Sequence, residues 1–349
     1  TLFRSRGLKI TPQRQAIFRA LGRLDGQHPG ADVVYDAVAR ELPSISLKTV
    51  YQTLHDLEVV VVDDGSARPV SLHPHPRLRV VRLPDSRGVS AARNAGTRNA
   101  RGTLVSYLDD DDRYEPEFVA RLLHALVGDE RAGVAFCRAT WEQDGRRYVP
   151  VDHRPAGPLE RAAEQMLRDG WTVSPSHMLM RRAAVDAALR DQPLPDSVAP
   201  DTFVNLRIAQ AGWQHVLVDA HLVTCRWHDG QVSRAGTSAS DRAVATWEQL
   251  RLDDPQLAAL CRRRLARARL VRAMERLCAG DIARCRDDLL AAAETCPSAW
   301  PGIRGSLAAA SRCGAAGTLA ARAWMTCSHA GRLRGRPPRA IGDRVLRMK

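Results

Sequence analysis

Apolar residues recur along this chain with changing periods, and the changes divide it. Thr11-Pro12 reads as a helix cap and first turn, and Ile17, Ala20, Leu21 and Leu24 follow at helical spacing. A second helix is expected over 31–42, with Val34, Val38 and Leu42 on one face, until Pro43 ends it. Ser46 then caps a third helix through Val50, Leu54 and Leu57. At Val59 the texture changes. Val59 to Val62 is a continuous β-branched run, the pattern of a buried parallel strand, and it ends in Asp63-Asp64-Gly65-Ser66. Pro69, Pro74 and Pro76 exclude a helix after it.

Strands are predicted over 78–83, 103–108, 134–139, 176–180, 215–218 and 223–227. Helices are predicted over 88–100, 115–126, 159–168 and 201–211, and the alternation argues an α/β fold. From Asp241 onward the chain is rich in Ala, Leu and Arg, and Leu257, Leu260, Leu265, Leu270 and Met274 fit one helical face. Gly335 to Pro338 opens a basic tail with no packing pattern. These changes predict three regions, 1–58, 59–240 and 241–349.

Hydrophobic residues make up 44% of the 349 and charged residues 26%, the composition of a soluble globular protein. No apolar run approaches the roughly 18 residues of a membrane helix, and Thr1-Leu2-Phe3-Arg4 begins no secretory signal. The expected location is cytoplasmic, at most peripheral on the inner face of a membrane. The net charge of +13 is uneven. Residues 1–58 hold 8 basic and 6 acidic side chains, 59–240 hold 23 of each, and 241–349 hold 21 against 10. The C-terminal excess favours an anionic partner such as acidic lipid headgroups or nucleic acid. It is also nearly all arginine, which reads as genome composition. None of the eight cysteines forms a C-x-x-C pair, so a zinc ribbon is not expected and reduced thiols are.

The sharpest chemical signal is Asp109-Asp110-Asp111-Asp112 at the end of a predicted strand. Crowded carboxylates repel one another, and a divalent cation relieves that repulsion. Mg²⁺ or Mn²⁺ bound by one or two carboxylates also takes phosphate oxygens of a substrate. The four residues alone fit a solvated acidic loop or a helix N-terminal cluster equally well.

Four stretches resemble the family 2 glycosyltransferases, which have the GT-A fold: EVVVVDDGS (58–66), RGVSAARNAGTRNARG (87–102), LVSYLDDDDRYEP (104–116) and the segment from Asp201 to RWHDGQVSR (226–234). They cover about 58–235 in family order. The resemblance implies a Rossmann-like mixed sheet lacking its usual first strand. It implies transfer of a sugar from a nucleoside-diphosphate-sugar donor to an acceptor hydroxyl, on a glycan, a lipid-linked carrier or a small molecule, by inversion and with Mg²⁺ or Mn²⁺. On it, Asp63, Asp64, Arg93, Asn94 and Asp109 bind the donor, and Asp109, Asp111 and His228 bind the metal. For Asn94, helix packing is an equal alternative. Asp201 matches the general base, although Pro200 stands where the family has an acid. Trp171 and residues 174–177 fall in the acceptor region.

Residues 1–58 resemble the winged-helix, DNA-binding half of ferric-uptake-regulator-type repressors. RGLKITPQRQAIFRAL (6–21), HPGADVVYDAV (28–38) and PSISLKTVYQTLHDLE (43–58) carry the likeness. It implies a three-helix fragment whose third helix enters the DNA major groove through Ser46, Thr49 and Tyr51, with His28 at a metal-ligand position. Gln52 replaces the usual arginine, and the repressor's second half is absent. DNA binding by so nearly neutral a fragment is expected to be weak. The two resemblances meet at His55-Asp56-Leu57-Glu58, an in-frame joining of the two families.

Overall fold

The computed structural model describes residues 16, 20, 31–44, 58–150, 152, 154–228 and 236–297. Most of the expected first helix, the expected third helix with Ser46, Thr49 and Tyr51, His28, and the basic tail lie outside these residues. The second helix is present as α1 (Ala31–Ala39), and Val38 is buried against Ala16 and Ala20.

Seven strands form the main sheet. Its central member, β5 (Ala132–Gln143), pairs in parallel with β9 (Gln214–Arg226) and antiparallel with β8 (Met178–Arg181). The path runs β3 (Leu104–Ser106), β8, β5, β9, β4 (Asp112–Tyr114), with β6 (Arg146–Tyr148) on β5 and β7 (Gly157–Leu159) on β9.

The period of two along β5 sorts its side chains onto two faces. Val134 and Phe136 join Met178, Met180 and Leu217 under three helices: α4 (Ala162–Asp169), α5 (Arg182–Leu189) and α6 (Pro200–Gln210). Ala135, Cys137 and Ala139 face α3 (Phe118–Gly128), where Phe118, Leu122 and Leu126 are fully buried. The mixed α/β architecture implied by the sequence is therefore present.

Several boundaries move for physical reasons. The two strands expected over 215–218 and 223–227 are one strand of 13 residues, because β5 continues alongside and absorbs the polar Asp219–His221 stretch at irregularities beside Arg138. The strand expected over 103–108 keeps only three residues in the sheet. Asp112, read as part of an acidic loop, begins β4 and lies opposite Cys225. The helix expected over 159–168 begins at Ala162, because Gly157 to Leu159 pair with β9.

The Val59–Val62 run forms β1 (Val59–Asp63), in parallel register with β2 (Leu78–Arg82). The expectation that β1 is buried is corrected: of its five residues only Asp63 is buried, and Val59 is 50% exposed. Among the described residues β1 has one strand neighbour, and the pair stands apart from the seven-stranded sheet. Helix α2 (Val89–Asn99) covers one face of the pair, with Gly96 against Val62.

Three helices follow: α7 (Gly236–Gln249), α8 (Pro255–Cys278) and α9 (Ile282–Thr295). The boundary expected at 240 falls inside α7. Asp254 caps α8 by accepting the Gln256 and Leu257 N–H groups, and Pro255 occupies its first turn. The leucine face expected on α8 is only partly buried, whereas Ala266, Ala268 and Ala273 are buried, so small residues set the helix spacing. Buried Asp288 of α9 binds Arg272 and Arg276 of α8 and staples the hairpin. Residues 241–297 hold 11 basic and 9 acidic side chains, and 298–349 hold 10 and 1, so the basic excess lies beyond the described helices. None of the described helices is long and apolar enough to cross a membrane.

Candidate active site

The first two turns of α2 join the two sheets. Gly65, at φ +70°, lets the loop after β1 approach the backbone of Asp85 and Ser86 more closely than a Cβ would permit. Asp64 then reaches the start of α2. Its carboxylate accepts the N–H groups of Arg87 at 2.9 Å and Gly88 at 2.8 Å, and the Ser86 hydroxyl at 3.0 Å. Asp63 turns the other way. It accepts the N–H groups of Ser66 and Val70 and binds the Arg82 guanidinium. Those backbone donors, chiefly Ser66 and Val70, hold its carboxyl far below the usual carboxylate range. Both carboxylates, which the resemblance implies bind the donor, meet neighbouring loops here.

On leaving β3 the chain makes the acidic turn. The Tyr107 carbonyl accepts the Tyr114 hydroxyl at 2.7 Å, and the Asp112 N–H returns to the Asp109 carbonyl at 3.0 Å. The buried Ser176 hydroxyl accepts the Asp109 N–H at 3.1 Å and lies against the Asp112 carboxylate. Burial raises the Asp112 carboxyl to about 6; Ser176 opposes the shift, and the charges of Asp111 and Asp109 add to it. Asp110 is exposed.

Two residues of α2 face this turn differently. Arg93, with only 11% of its side chain exposed, donates to Asp109 at 2.7 Å and lies 5.7 Å from the Tyr107 ring centre. Asn94 donates its side-chain amide to the Leu194 carbonyl at 2.8 Å. Of the two functions left open for Asn94, packing is the one its hydrogen bond serves.

Asp201 enters from the opposite side, in the first turn of α6. Desolvation raises its carboxyl, and the nearby Arg93 charge partly offsets this. The Asn205 side-chain N–H donates to the Asp201 carbonyl at 2.8 Å, and its oxygen accepts from Nε2 of buried His215 at 3.0 Å. Arg93, Asp109 and Asp201 therefore share one electrostatic neighbourhood. The void between Arg93, Tyr107, Leu194 and Pro200 is only about 10 Å³. A groove of about 610 Å³ beside Arg168, Gln214 and Arg263 lies at the opposite end of β9 and belongs to another surface.

The expected metal ligands are brought together in part. His228, just past β9, lies 3.1 Å from the Asp111 carboxylate. Asp109 is bound to Arg93 instead. Among the described residues no group of three metal-binding side chains converges. One carboxylate and one imidazole suit a small divalent cation that completes its shell with water and substrate phosphate oxygens; they do not suit an all-protein cage.

The profile of glycosyl transferase family 2 matches residues 37–189. Over that stretch the chain resembles family 2 glycosyltransferases. The profile of the ferric uptake regulator family matches residues 5–63, so 37–63 are claimed by both. An uncharacterized glycosyltransferase of Haemophilus influenzae is 29% identical over 130 residues, which cover 36% of this chain and 44% of that one. The peroxide-responsive repressor PerR of Staphylococcus saprophyticus is 38% identical over 82 residues, 22% of this chain and 55% of the repressor. The crystal structure of S. aureus TarS superposes with a TM-score of 0.49 at 13% identity, covering 84% of this chain and 48% of that one. The chain spans less than half the length of the Haemophilus influenzae relative.

Ser176, Tyr107 and Ser90 carry site geometry that the sequence did not reveal. The partners of Ser176 and Ser90 lie 67 and 108 positions away and that of Tyr107 is Thr97, 10 positions back, contacts that no hydrophobic period signals.

Proposed function

We propose that this chain transfers a sugar from a nucleoside-diphosphate sugar to an acceptor hydroxyl, with inversion at the anomeric carbon. The reading rests on the family 2 match together with one observation: the Asp109 turn, Arg93 and Asp201 gather at one edge of the sheet.

Asp201 is the general base. Its desolvated carboxyl holds a proton more tightly than an ordinary aspartate, which favours accepting one from the hydroxyl as that oxygen attacks. Asn205 fixes the carbonyl of the same residue, so the carboxylate starts from a defined turn. Arg93 supplies positive charge beside Asp109, where a diphosphate leaving group develops charge. Asp111 and His228 would hold Mg²⁺ or Mn²⁺, whose charge assists departure of the diphosphate. The Ser176 hydroxyl touches the turn, and Trp171 and Ser174 to His177 are where the acceptor is expected. His177, drawn down to about 4 by burial and the Arg154 charge, stays neutral there and lies 3.2 Å from the Cys225 thiol.

The test is release of nucleoside diphosphate from UDP-, GDP- or dTDP-sugars, with and without Mn²⁺ and acceptor. Turnover that requires the metal and disappears in Asp111→Ala supports the assignment. Full turnover in Asp111→Ala removes the metal site, and no turnover with any donor removes the enzyme reading.

A further inference from the structure

We infer that Thr246, in the C-terminal helices, is a positioning residue for Asp201: with Ser90 and Asn94 it clasps the segment that delivers the carboxylate. The inference rests on the reading of Asp201 as the base.

The segment from Leu194 to Ala199 leads directly into α6. On one side, α2 holds it twice. The fully buried Ser90 hydroxyl donates to the Val198 carbonyl at 3.0 Å, and Asn94 donates to the Leu194 carbonyl at 2.8 Å. Arg87 pairs with Asp196 at the exposed end of the same contact. On the other side stands α7. The Thr246 hydroxyl, 1% exposed, accepts the Ala199 N–H at 2.7 Å and donates to the Arg242 carbonyl at 2.6 Å. Gln249 adds a bond to the Ser197 hydroxyl at 2.9 Å.

The entry to α6 needs such a fixture. No side chain caps this helix, and Pro200 has no N–H to fix the first turn. The position of Asp201, two residues after Ala199, is therefore set by the backbone that Thr246 grips. Thr246 spends its donor and one acceptor position along two fixed directions, so its hydroxyl is itself held in place. This gives the C-terminal helices a task beyond covering the core. It also gives the Asn94 amide a structural task, the hold on the Leu194 carbonyl.

The experiment compares the full chain with Thr246→Val and Thr246→Ser. Valine keeps the volume and removes both hydrogen bonds, whereas serine keeps both. Three quantities are read: kcat and donor KM for nucleoside diphosphate release with Mn²⁺, the acidic limb of the pH profile, and hydrogen exchange of the peptide covering 194–204. In Thr246→Val, kcat is expected to fall by about tenfold or more, as displacement of a reacting group does. Donor KM should stay within about twofold, the acidic limb should move, and exchange at 199–203 should quicken. Thr246→Ser restores all of these. Equal losses in the valine and serine variants, or a raised KM with unchanged kcat, overturn the inference. If Thr246→Val does not fold, Ser90→Ala opens the clasp from the other side and is expected to give the same signature at smaller size; an unchanged kcat and exchange rate there overturns it. An unaltered chain without turnover sinks the enzyme reading instead. The clasp is then judged by exchange alone, and unchanged protection in Thr246→Val overturns it.

Discussion

Two regions of the molecule each end an apolar strand in aspartates, and their carboxylates take different kinds of partner. The β1–β2 pair ends in Asp63 and Asp64, which together accept four backbone N–H groups, a hydroxyl and a guanidinium. The seven-stranded sheet ends in the Asp109–Asp112 turn. There Asp109 and Asp111 meet side-chain partners, a guanidinium and an imidazole, and Asp110 is exposed. Both tips look alike as strings of letters. The difference lies in the donors: main-chain N–H groups cannot leave without remodelling a loop, whereas side chains can turn away when a substrate arrives.

The largest expected effect falls on the second region. Asp201→Asn removes the proposed proton acceptor and should lower kcat by about 10²–10⁴-fold with the fold intact. Circular dichroism with steady-state kinetics reads it, and near-normal kcat would remove Asp201 from the chemistry. A related effect has a definite sign. Burial raises Asp201, and the base works only when ionised, so activity rises with pH through a value above the ordinary 3.8. Arg93 lowers that value; Arg93→Gln should therefore move the acidic limb to higher pH. A shift toward lower pH would contradict the arrangement.

The next pair sets the regions against each other. Asp111→Ala should cost about tenfold or more in metal-dependent turnover and leave the melting temperature nearly unchanged. Asp63→Ala should do the reverse. It leaves the Ser66 and Val70 N–H groups without their acceptor and Arg82 with only the Ser66 carbonyl, so Tm should fall by roughly 5 °C. That contribution is present above the pKa of the unfolded chain and is lost as pH falls toward the lowered folded value, so the Tm difference should shrink in strong acid. If both variants lose activity and neither loses stability, the two tips do the same job.

Much of this was legible in the sequence because long elements leave periodic traces. The strands β2 and β5, the helices α2 and α6, and the acidic turn were all placed by pattern. What escaped is what periodicity cannot encode. The three residues of β4 are too few to show alternation, and Asp112 looks like its neighbours until Cys225 pairs with it. Helix α5 follows β8 without a capping side chain, so nothing announces it. Asn94 lies on the expected helix, but its partner, the Leu194 carbonyl, is 100 positions away. Apolar runs report that a strand forms; they do not report how many neighbours it finds, and on that count β1 was misread.

The smallest expected effect tests that last point directly. Val80 of β2 is 40% exposed, and its register partner Val61 is only half-buried. Val134 of β5 is fully buried between β8 and β9. Val→Thr keeps the shape and adds one hydroxyl. At Val134 that hydroxyl enters a filled core and should cost about 1–3 kcal/mol. At Val80 it meets water and should change stability by less than about 0.5 kcal/mol. Denaturant titration of both variants measures the contrast at equal chemistry. A cost at Val80 close to that at Val134 would mean that the outer face of the β1–β2 pair is covered in solution. The exposure of Val59 and Val80 would then no longer separate the two sheets.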